Sequence, residues 1–244
     1  ADGNTTITNC ITDMYLTVKD GDVGGMVCEI LGGSLTMTNC VTNGVITLDN
    51  RGYGAGMIYS GYNASITMTD CLVKVFFRPS DWARLTMSGF IYDLGYKNEP
   101  TTKPVTLNNC LYLGTNNANN NESYTFAGDN TEVKNCYYLN ACGKAQGTKI
   151  TDEQLKNGAV AYKLQARRSQ MVWGQTIGTD ALPQFTADEA KKICKVDFVD
   201  NGRTVFSRYV NKGGKVTAPT VQDIKGTSYT PHHYYALTVA SDFN

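Results

Sequence analysis

The chain has 244 residues, 41% of them hydrophobic, and its 22 basic and 22 acidic side chains cancel to a formal charge of zero. That length and apolar content suffice for one large domain or two small ones with a buried core. The charge balance lacks the basic footprint that binding to nucleic acid needs, and no apolar run reaches the roughly 18 to 20 residues that span a bilayer, so neither partner is expected.

Residues 1 to 148 carry an internal repeat. The stretch Gly32-Gly33-Ser34-Leu35-Thr36-Met37-Thr38-Asn39-Cys40 has relatives at Asn4 to Cys10, Asn63 to Cys71, Lys103 to Cys110 and Thr131 to Cys136. Each alternates polar and large apolar residues with period two, the mark of a strand with one buried face. Each then ends on an amide or acid followed by cysteine: Asn9-Cys10, Asn39-Cys40, Asp70-Cys71, Asn109-Cys110 and Asn135-Cys136. The cysteines step by 30, 31, 39 and 26 residues (10 to 40, 40 to 71, 71 to 110, 110 to 136). Such steps are too long for hairpins and lie near the period of solenoids, propellers and arrays.

Two other pieces recur between these strands. Gly24-Gly25-Met26-Val27-Cys28 is echoed by Ala55-Gly56-Met57-Ile58-Tyr59, and Gly44-Val45-Ile46-Thr47-Leu48 loosely by Leu72-Val73-Lys74-Val75-Phe76. One turn of the repeat therefore holds about three short strands. Stacking such turns in parallel gives each strand neighbours above and below. The expected fold class is all-β dominated: a right-handed parallel β-helix of about three strands per rung, the hand following the general preference of crossover connections.

Residues at equivalent positions would stack about 4.8 Å apart. Cys10, Cys40, Cys71, Cys110 and Cys136 then form a buried column of small apolar side chains, with a disulfide framework as the competing reading. Cys136 and Cys142 are the pair to test for a bridge. Asn9, Asn39, Asp70, Asn109 and Asn135 form a second column at a tight corner, where a residue tolerant of the left-handed region is needed; separate surface turns are the alternative. The repeat degenerates after Phe77, is interrupted at Arg78 to Arg84, and carries a polar insertion at Gly114 to Asn121. No cap precedes the first repeat, so that end is expected to have lost a lid or to be covered by a neighbouring molecule. With Ala1-Asp2-Gly3-Asn4 lacking a signal region, the chain reads as a mature or excised piece.

A different grammar begins at residue 149. Thr151-Asp152-Glu153-Gln154 has capping-box order, and Leu155, Val160, Ala161, Tyr162 and Leu164 supply an apolar face for one helix or two short ones broken near Gly158. A β-helix exposes unpaired backbone at its ends, so residues 149–191 are expected to be a helical and loop cap. Residues 192–244 return to alternation. Lys195 to Val199 and Thr204 to Val210 flank Asp200-Asn201-Gly202, a strong hairpin signal. A turn at Lys212-Gly213-Gly214 and short strands at Val216 to Pro219 and Tyr234 to Val239 complete a small β module.

These three segments each resemble a known family. The repeats, with Gly-Gly-Met-Val and Ser-Leu-Thr-Met-Thr-Asn-Cys, resemble the GLUG-type repeats of bacterial surface proteins, which build right-handed parallel β-helices. Thr151 to Phe185, with Glu153-Gln154-Leu155, Gly158, Ala161-Tyr162, Leu164, Trp173-Gly174-Gln175, Gly178-Thr179-Asp180 and Pro183, is similar to the piece that follows such helices in gut Bacteroidetes and Firmicutes proteins. Val196-Asp197-Phe198 to Pro219, with Gly202 and Lys212-Gly213-Gly214, resembles the Listeria–Bacteroides repeat, a small β-grasp-like module; Tyr234-Tyr235-Ala236 stands where that family has an aromatic Gly-Trp-Tyr ending. The resemblance implies a secreted or bacterial cell-surface protein and carries over no catalytic residue.

Motifs for chemistry are sparse. His-Glu-x-x-His and Cys-x-x-Cys are absent, and the only histidines are the adjacent His232-His233, so no metal site and no cofactor are expected. Gly52-Tyr53-Gly54-Ala55-Gly56 has no helix after it, and repeat turns explain it better than a phosphate loop. Asn4, Asn63 and Asn121 open sequons that would mark surface loops in a eukaryotic secreted chain. Asp20, Asp22, Asp49, Arg51, Asp70, Lys74, Arg78, Asp81 and Arg84 are the one charged set rich enough for polysaccharide lyase or glycoside hydrolase chemistry, which needs paired carboxylates or a base beside a cation. Ordinary turn composition competes with that reading. Tyr53, Tyr59, Tyr62, Trp82 and Tyr92 fall within forty residues, and exposed rings can stack on sugars or anchor a protein, although they would equally fill a core. The whole chain's 15 Tyr against 8 Phe, beside 24 Gly, suits a β-rich extracellular composition. The leading expectation is a non-catalytic, adhesin-like surface protein binding glycans or host or cell-surface proteins; the alternative is a carbohydrate-active enzyme.

Overall fold

The computed structural model describes residues 3–79, 84–96, 99–100, 103–116, 123–128, 131–166, 168–200, 202–225 and 236–239. The fold is dominated by strands, and its larger sheets are parallel. Two compact units divide the chain, Ala1–Ile150 and Thr151–Asn244.

The first unit is built on the repeated alternation. Asn4–Thr8, Ser34–Thr38, Ser65–Thr69, Val105–Asn108 and Thr131–Lys134 lie side by side in one parallel sheet. Their register places Ile7, Met37, Met68, Leu107 and Val133 in one row. Met37, Met68 and Leu107 are fully buried, while the threonines between them face outward. Because side chains alternate across a strand, a shift of one residue would turn this whole row to solvent, so the pattern fixes the register.

Each of these strands ends in a corner. Asn9, Asn39, Asp70, Asn109 and Asn135 take φ of 57°, 53°, 54°, 58° and 49°. These are left-handed values, which asparagine and aspartate tolerate because their short polar side chains bond locally. The chain then enters a second parallel sheet through Ile11–Asp20, Val41–Ala55, Leu72–Pro79, Leu111–Tyr112 and Tyr137–Tyr138, with Thr148–Lys149 beyond. A third parallel sheet holds Val27–Glu29, Ile58–Ser60 and Ile91–Asp93.

Within the degenerate stretch after Phe77 the pairing resumes at Arg84. Arg84–Ser88 pairs with Arg51–Ala55, and Ile91–Asp93 with Ile58–Ser60, so another copy of the later strands follows the interruption. The loose echo at Gly44 is also corrected: Leu72 pairs with Val41, and Gly44 with Val75, three residues away from the sequence alignment. Between the second and third sheets, Gly25, Gly56 and Gly89 occupy one crowded position. A Cβ there would lie 2.1 Å from the Gly56 carbonyl oxygen, 2.3 Å from that of Gly89 and 2.1 Å from that of Thr125, respectively. No side chain fits. Within the polar insertion, Thr115–Asn116 forms a short strand against Phe76 and Phe77, and 117–122 lie outside the described residues.

In the second unit the capping box is present. Thr151 Oγ1 accepts from the Gln154 N–H at 3.2 Å, and Gln154 Oε1 accepts from the Thr151 N–H at 3.1 Å. Helix Asp152–Lys156 ends before Gly158, whose φ of 86° breaks the path, and Ala159–Gln165 follows as a separate helix. Ile193–Asp200 and Arg203–Asn211 form the expected antiparallel hairpin, with Ala236–Val239 on its other edge. Val216 to Pro219 is irregular instead of a strand, and a short helix, Val221–Lys225, follows it.

Helices and hairpin belong together. Gln175 Nε2 donates to the Leu155 carbonyl at 2.8 Å, and the Gln175 N–H donates to that of Lys191 at 2.9 Å. Asn211, at the end of the hairpin, accepts from the Ile177 N–H at 2.9 Å. Trp173 is fully buried against Phe185, with ring centroids 4.3 Å apart.

Candidate functional site

Two columns run along the corner of the first unit. Inside it, Cys40, Cys71, Cys110 and Cys136 are buried, whereas Cys10, in the first repeat, is exposed. Each sulfur sits over the preceding repeat: Cys40 donates to the Ile7 carbonyl at 3.5 Å, Cys71 to Met37 at 3.8 Å, Cys110 to Met68 at 3.9 Å and Cys136 to Leu107 at 3.5 Å. All eight cysteines are free, including Cys136 and Cys142. The hydrogen bond shared with Cys71, then burial, hold the Cys40 thiol above its usual range; burial, then Cys136 and Cys71, do the same for Cys110. Between them, the hydrogen bonds of Cys110 and then Cys40 hold the Cys71 thiol below its usual range, so the proton is shared unevenly along a column whose members are packing groups.

The amide column lies beside them. Asn39 Nδ2 donates to Asn9 Oδ1 at 3.1 Å, and Asn109 Nδ2 to Asp70 Oδ1 at 2.6 Å. Asn135 departs from the pattern and donates to Asn108 Oδ1 at 3.2 Å.

Elsewhere in the repeats, the structure brings three of the five expected aromatic residues together. Tyr59 and Tyr92 occupy equivalent positions one repeat apart, because Ile58 pairs with Ile91 and Ser60 with Asp93. Their ring centroids are 5.8 Å apart at an interplanar angle of 10°. Tyr53, from the preceding strand, stacks on Tyr92 at 4.9 Å and 18°. The strand pairing thus sets a row of near-parallel rings. Tyr53 is its exposed member, at 44% accessibility, and its N–H donates to Asp22 Oδ1 at 3.3 Å. Rings held by one another lose little freedom when a ligand lands on them. Tyr62 lies in the turn beyond Ser60, half-buried, with its carbonyl accepting from the Gly32 N–H at 3.0 Å. Trp82 lies outside the described residues.

Three of the charged set meet other partners. Asp70 is buried in the amide column, Asp22 receives the Tyr53 N–H, and the Arg78 guanidinium lies 5.6 Å from the centroid of the Phe76 ring. Asp20 and Arg51 are register partners on adjacent strands. Asp81 lies outside the described residues, as do His232 and His233. Among the described residues no three His, Cys, Asp or Glu side chains converge on a metal position, and no helix is long and apolar enough to cross a membrane.

The second unit contains a cavity of about 360 Å³ bounded by Ile177, Arg208, Tyr209, Asn211, Lys215 and Val216. Arg208 pairs with Asp223 at 2.9 Å, and burial raises the Tyr209 phenol above its ordinary value. Sequence reasoning missed this hollow, because it arises where the hairpin, a loop and the Lys212-Gly213-Gly214 turn meet. No family model, no curated protein and no solved structure matches the chain.

Proposed function

We propose that the chain is a non-catalytic, secreted or cell-surface binding protein of bacterial type, and that its ligand is a glycan received on the row formed by Tyr53, Tyr92 and Tyr59. The carrying observation is that row: three near-parallel rings on the outer side of strands whose inner side is already taken by core. Flat aromatic surfaces backed by polar hydroxyls suit the C–H faces and hydroxyl rims of sugars.

A right-handed parallel β-helix is the architecture that best accounts for the pairing in the first unit. Equivalent strands about 30 residues apart pair in parallel and in register, and parallel neighbours need crossover connections, which are right-handed in nearly all sheets. The GLUG-type resemblance of the repeats, and that of residues 196–219 to the Listeria–Bacteroides module, support display outside the cell.

A glycan array probed with the intact chain tests the function. Retention of defined oligosaccharides, weakened about tenfold or more by Tyr53→Ala, is the expected result, the size of one lost stacking contact of about 1.4 kcal/mol. No retention, or retention indifferent to Tyr53→Ala, sinks the proposal.

A further inference from the structure

The outer face of the first sheet is a regular array of hydroxyls. Thr6, Thr36, Thr67 and Thr106 are register partners on four successive strands, and Thr8, Thr38 and Thr69 form a second row two residues further along, ended by Asn108. Side chains alternate along a strand, so both rows stand on the side opposite the buried Met37, Met68 and Leu107. Asn4–Thr8, Ser34–Thr38, Ser65–Thr69 and Val105–Asn108 contain no ionisable and no aromatic residue. None of the seven threonine hydroxyls bonds another group of the protein among the described residues, so their hydrogen-bonding capacity is unspent.

The array is also stiff. Branching at Cβ leaves each threonine few χ1 choices. Successive repeats pair in three sheets at once, Leu35 with Ile66, Val41 with Leu72 and Ile58 with Ile91, which restrains the twist that a lone sheet would take. Hydroxyls therefore recur about every 4.8 Å across the strands and about every 6.6 Å along them.

Ice has a matching lattice. Each of its oxygens has four tetrahedral neighbours at about 2.75 Å, which sets second neighbours about 4.5 Å apart and repeats the lattice about every 7.3 Å along its hexagonal axis. Those two spacings meet at right angles on a prism face. Both agree with the threonine array to about a tenth, and over the longer row the mismatch reaches only about 0.9 Å. The neutrality of the face fits as well, because a charged side chain pressed against a lattice that excludes ions loses its hydration. A crystalline polysaccharide would call instead for flat aromatic rings, which these strands lack.

We infer that the threonine face binds ice, its hydroxyls standing where lattice oxygens would and its methyls filling the spaces between. The surface belongs to other strands than Tyr53, Tyr59 and Tyr92, and it stands whether or not that row receives a sugar.

Single ice crystals held just below their melting point in solutions of the full chain, up to high micromolar, test it. Faceted crystals whose growth stops within a measurable temperature gap are expected. Thr67→Tyr puts a ring in the middle of the array and Thr36→Lys puts a charge there; each is expected to shrink the gap several-fold, while Tyr53→Ala leaves it unchanged. Thr36 and Thr67 are solvent-exposed, so the variants keep the fold, which circular dichroism verifies. Rounded crystals that grow without a gap overturn the inference. So does a gap indifferent to either variant, and so does retention on microcrystalline cellulose with no effect on ice.

Discussion

Asn109 donates from Nδ2 to Oδ1 of Asp70 across 2.6 Å, and Asp70 is the one acid in a column whose other corner residues, Asn9, Asn39, Asn109 and Asn135, are amides. An amide both donates and accepts, so it can pass a chain of hydrogen bonds from one repeat to the next; a carboxylate only accepts. The break is visible one repeat back, where Asn39 Oδ1 is buried with no hydrogen-bond partner.

Asp70→Asn is therefore expected to stabilise the first unit. The new Nδ2 still leaves an oxygen for Asn109 and supplies a donor toward Asn39, a gain of about 1 kcal/mol for a newly satisfied buried acceptor. The urea midpoint of the full chain, compared with wild type, measures it. A lowered midpoint would mean that the carboxylate is preferred at this corner.

Gly56→Ala is expected to be severe. Its Cβ would come 2.3 Å from the Gly89 carbonyl oxygen and 2.4 Å from Val73 Cγ1, so repeats must move apart, at a cost of about 3 kcal/mol. Gly213 has φ of 76° and nothing within 4 Å, so Gly213→Ala meets only the left-handed backbone cost, about 1 kcal/mol. Denaturant unfolding of the two variants separates crowding from conformational preference.

Thiol reagents should find two cysteines quickly, Cys10 and Cys28, which are exposed, and six only on unfolding. Burial excludes the reagent, and at Cys40, Cys110 and Cys142 the thiolate that must react is disfavoured as well. Burial pushes the Cys142 thiol up to about 11 against the opposing hydrogen bonds of Asn116 and Tyr112. Mass spectrometry after brief alkylation identifies the fast pair. Early labelling of Cys71 or Cys110 would contradict the packed column.

Asp180 ties down a loop in the second unit. Its Oδ2 accepts from the Thr176 N–H at 2.7 Å and from Lys191 Nζ at 3.2 Å, and the Thr176 bond first, then Lys191, holds its carboxyl below the ordinary value. A depressed folded pKa contributes stability that is present above the unfolded value, about 4, and is lost as pH falls through the folded value. Asp180→Ala should thus cost about 1–2 kcal/mol at neutral pH, and the gap to wild type should close below about pH 4. Thermal melts of both proteins across that window report the sign directly.

Tyr92 touches two rings where Tyr53 touches one of the pair. Tyr92→Ala should destabilise the first unit by about 1–3 kcal/mol, and Tyr53→Ala by less than about 1 kcal/mol, since each stacked pair contributes about 0.5–1.5 kcal/mol. Equal losses in melting temperature would show that the row is not held from its centre.

The corners were readable because a left-handed turn restricts residue choice: Asn or Asp before Cys, after a period-two run, marked all five positions. The helix start at Thr151 and the hairpin at Asp200 were readable for the same reason, local chemistry tied to one geometry. Arg84-Leu85-Thr86-Met87-Ser88 was not, because it copies the composition of Ser34-Leu35-Thr36-Met37-Thr38 yet pairs with Arg51–Ala55 in a different sheet. The residue that follows separates them, Asn39 where the chain must turn and Gly89 where another backbone passes close. Tyr59 and Tyr92 could be grouped from sequence since both follow an isoleucine at the same place in the repeat. Their stacking with Tyr53, and the hollow beside Arg208, depend on distant segments meeting, which no local pattern records.

The in-register rows also govern how the first unit would answer a mechanical load. Bonds between successive repeats run in both donor directions but all lie across the strands, so tension drawing the first repeat from the last is carried by them in series, and repeats give way singly. With 30 residues from Cys10 to Cys40 and 31 from Cys40 to Cys71, each event pays out about 100 Å of slack chain. Lengthening in such steps sheds force between them, where a single cooperative domain would yield all at once.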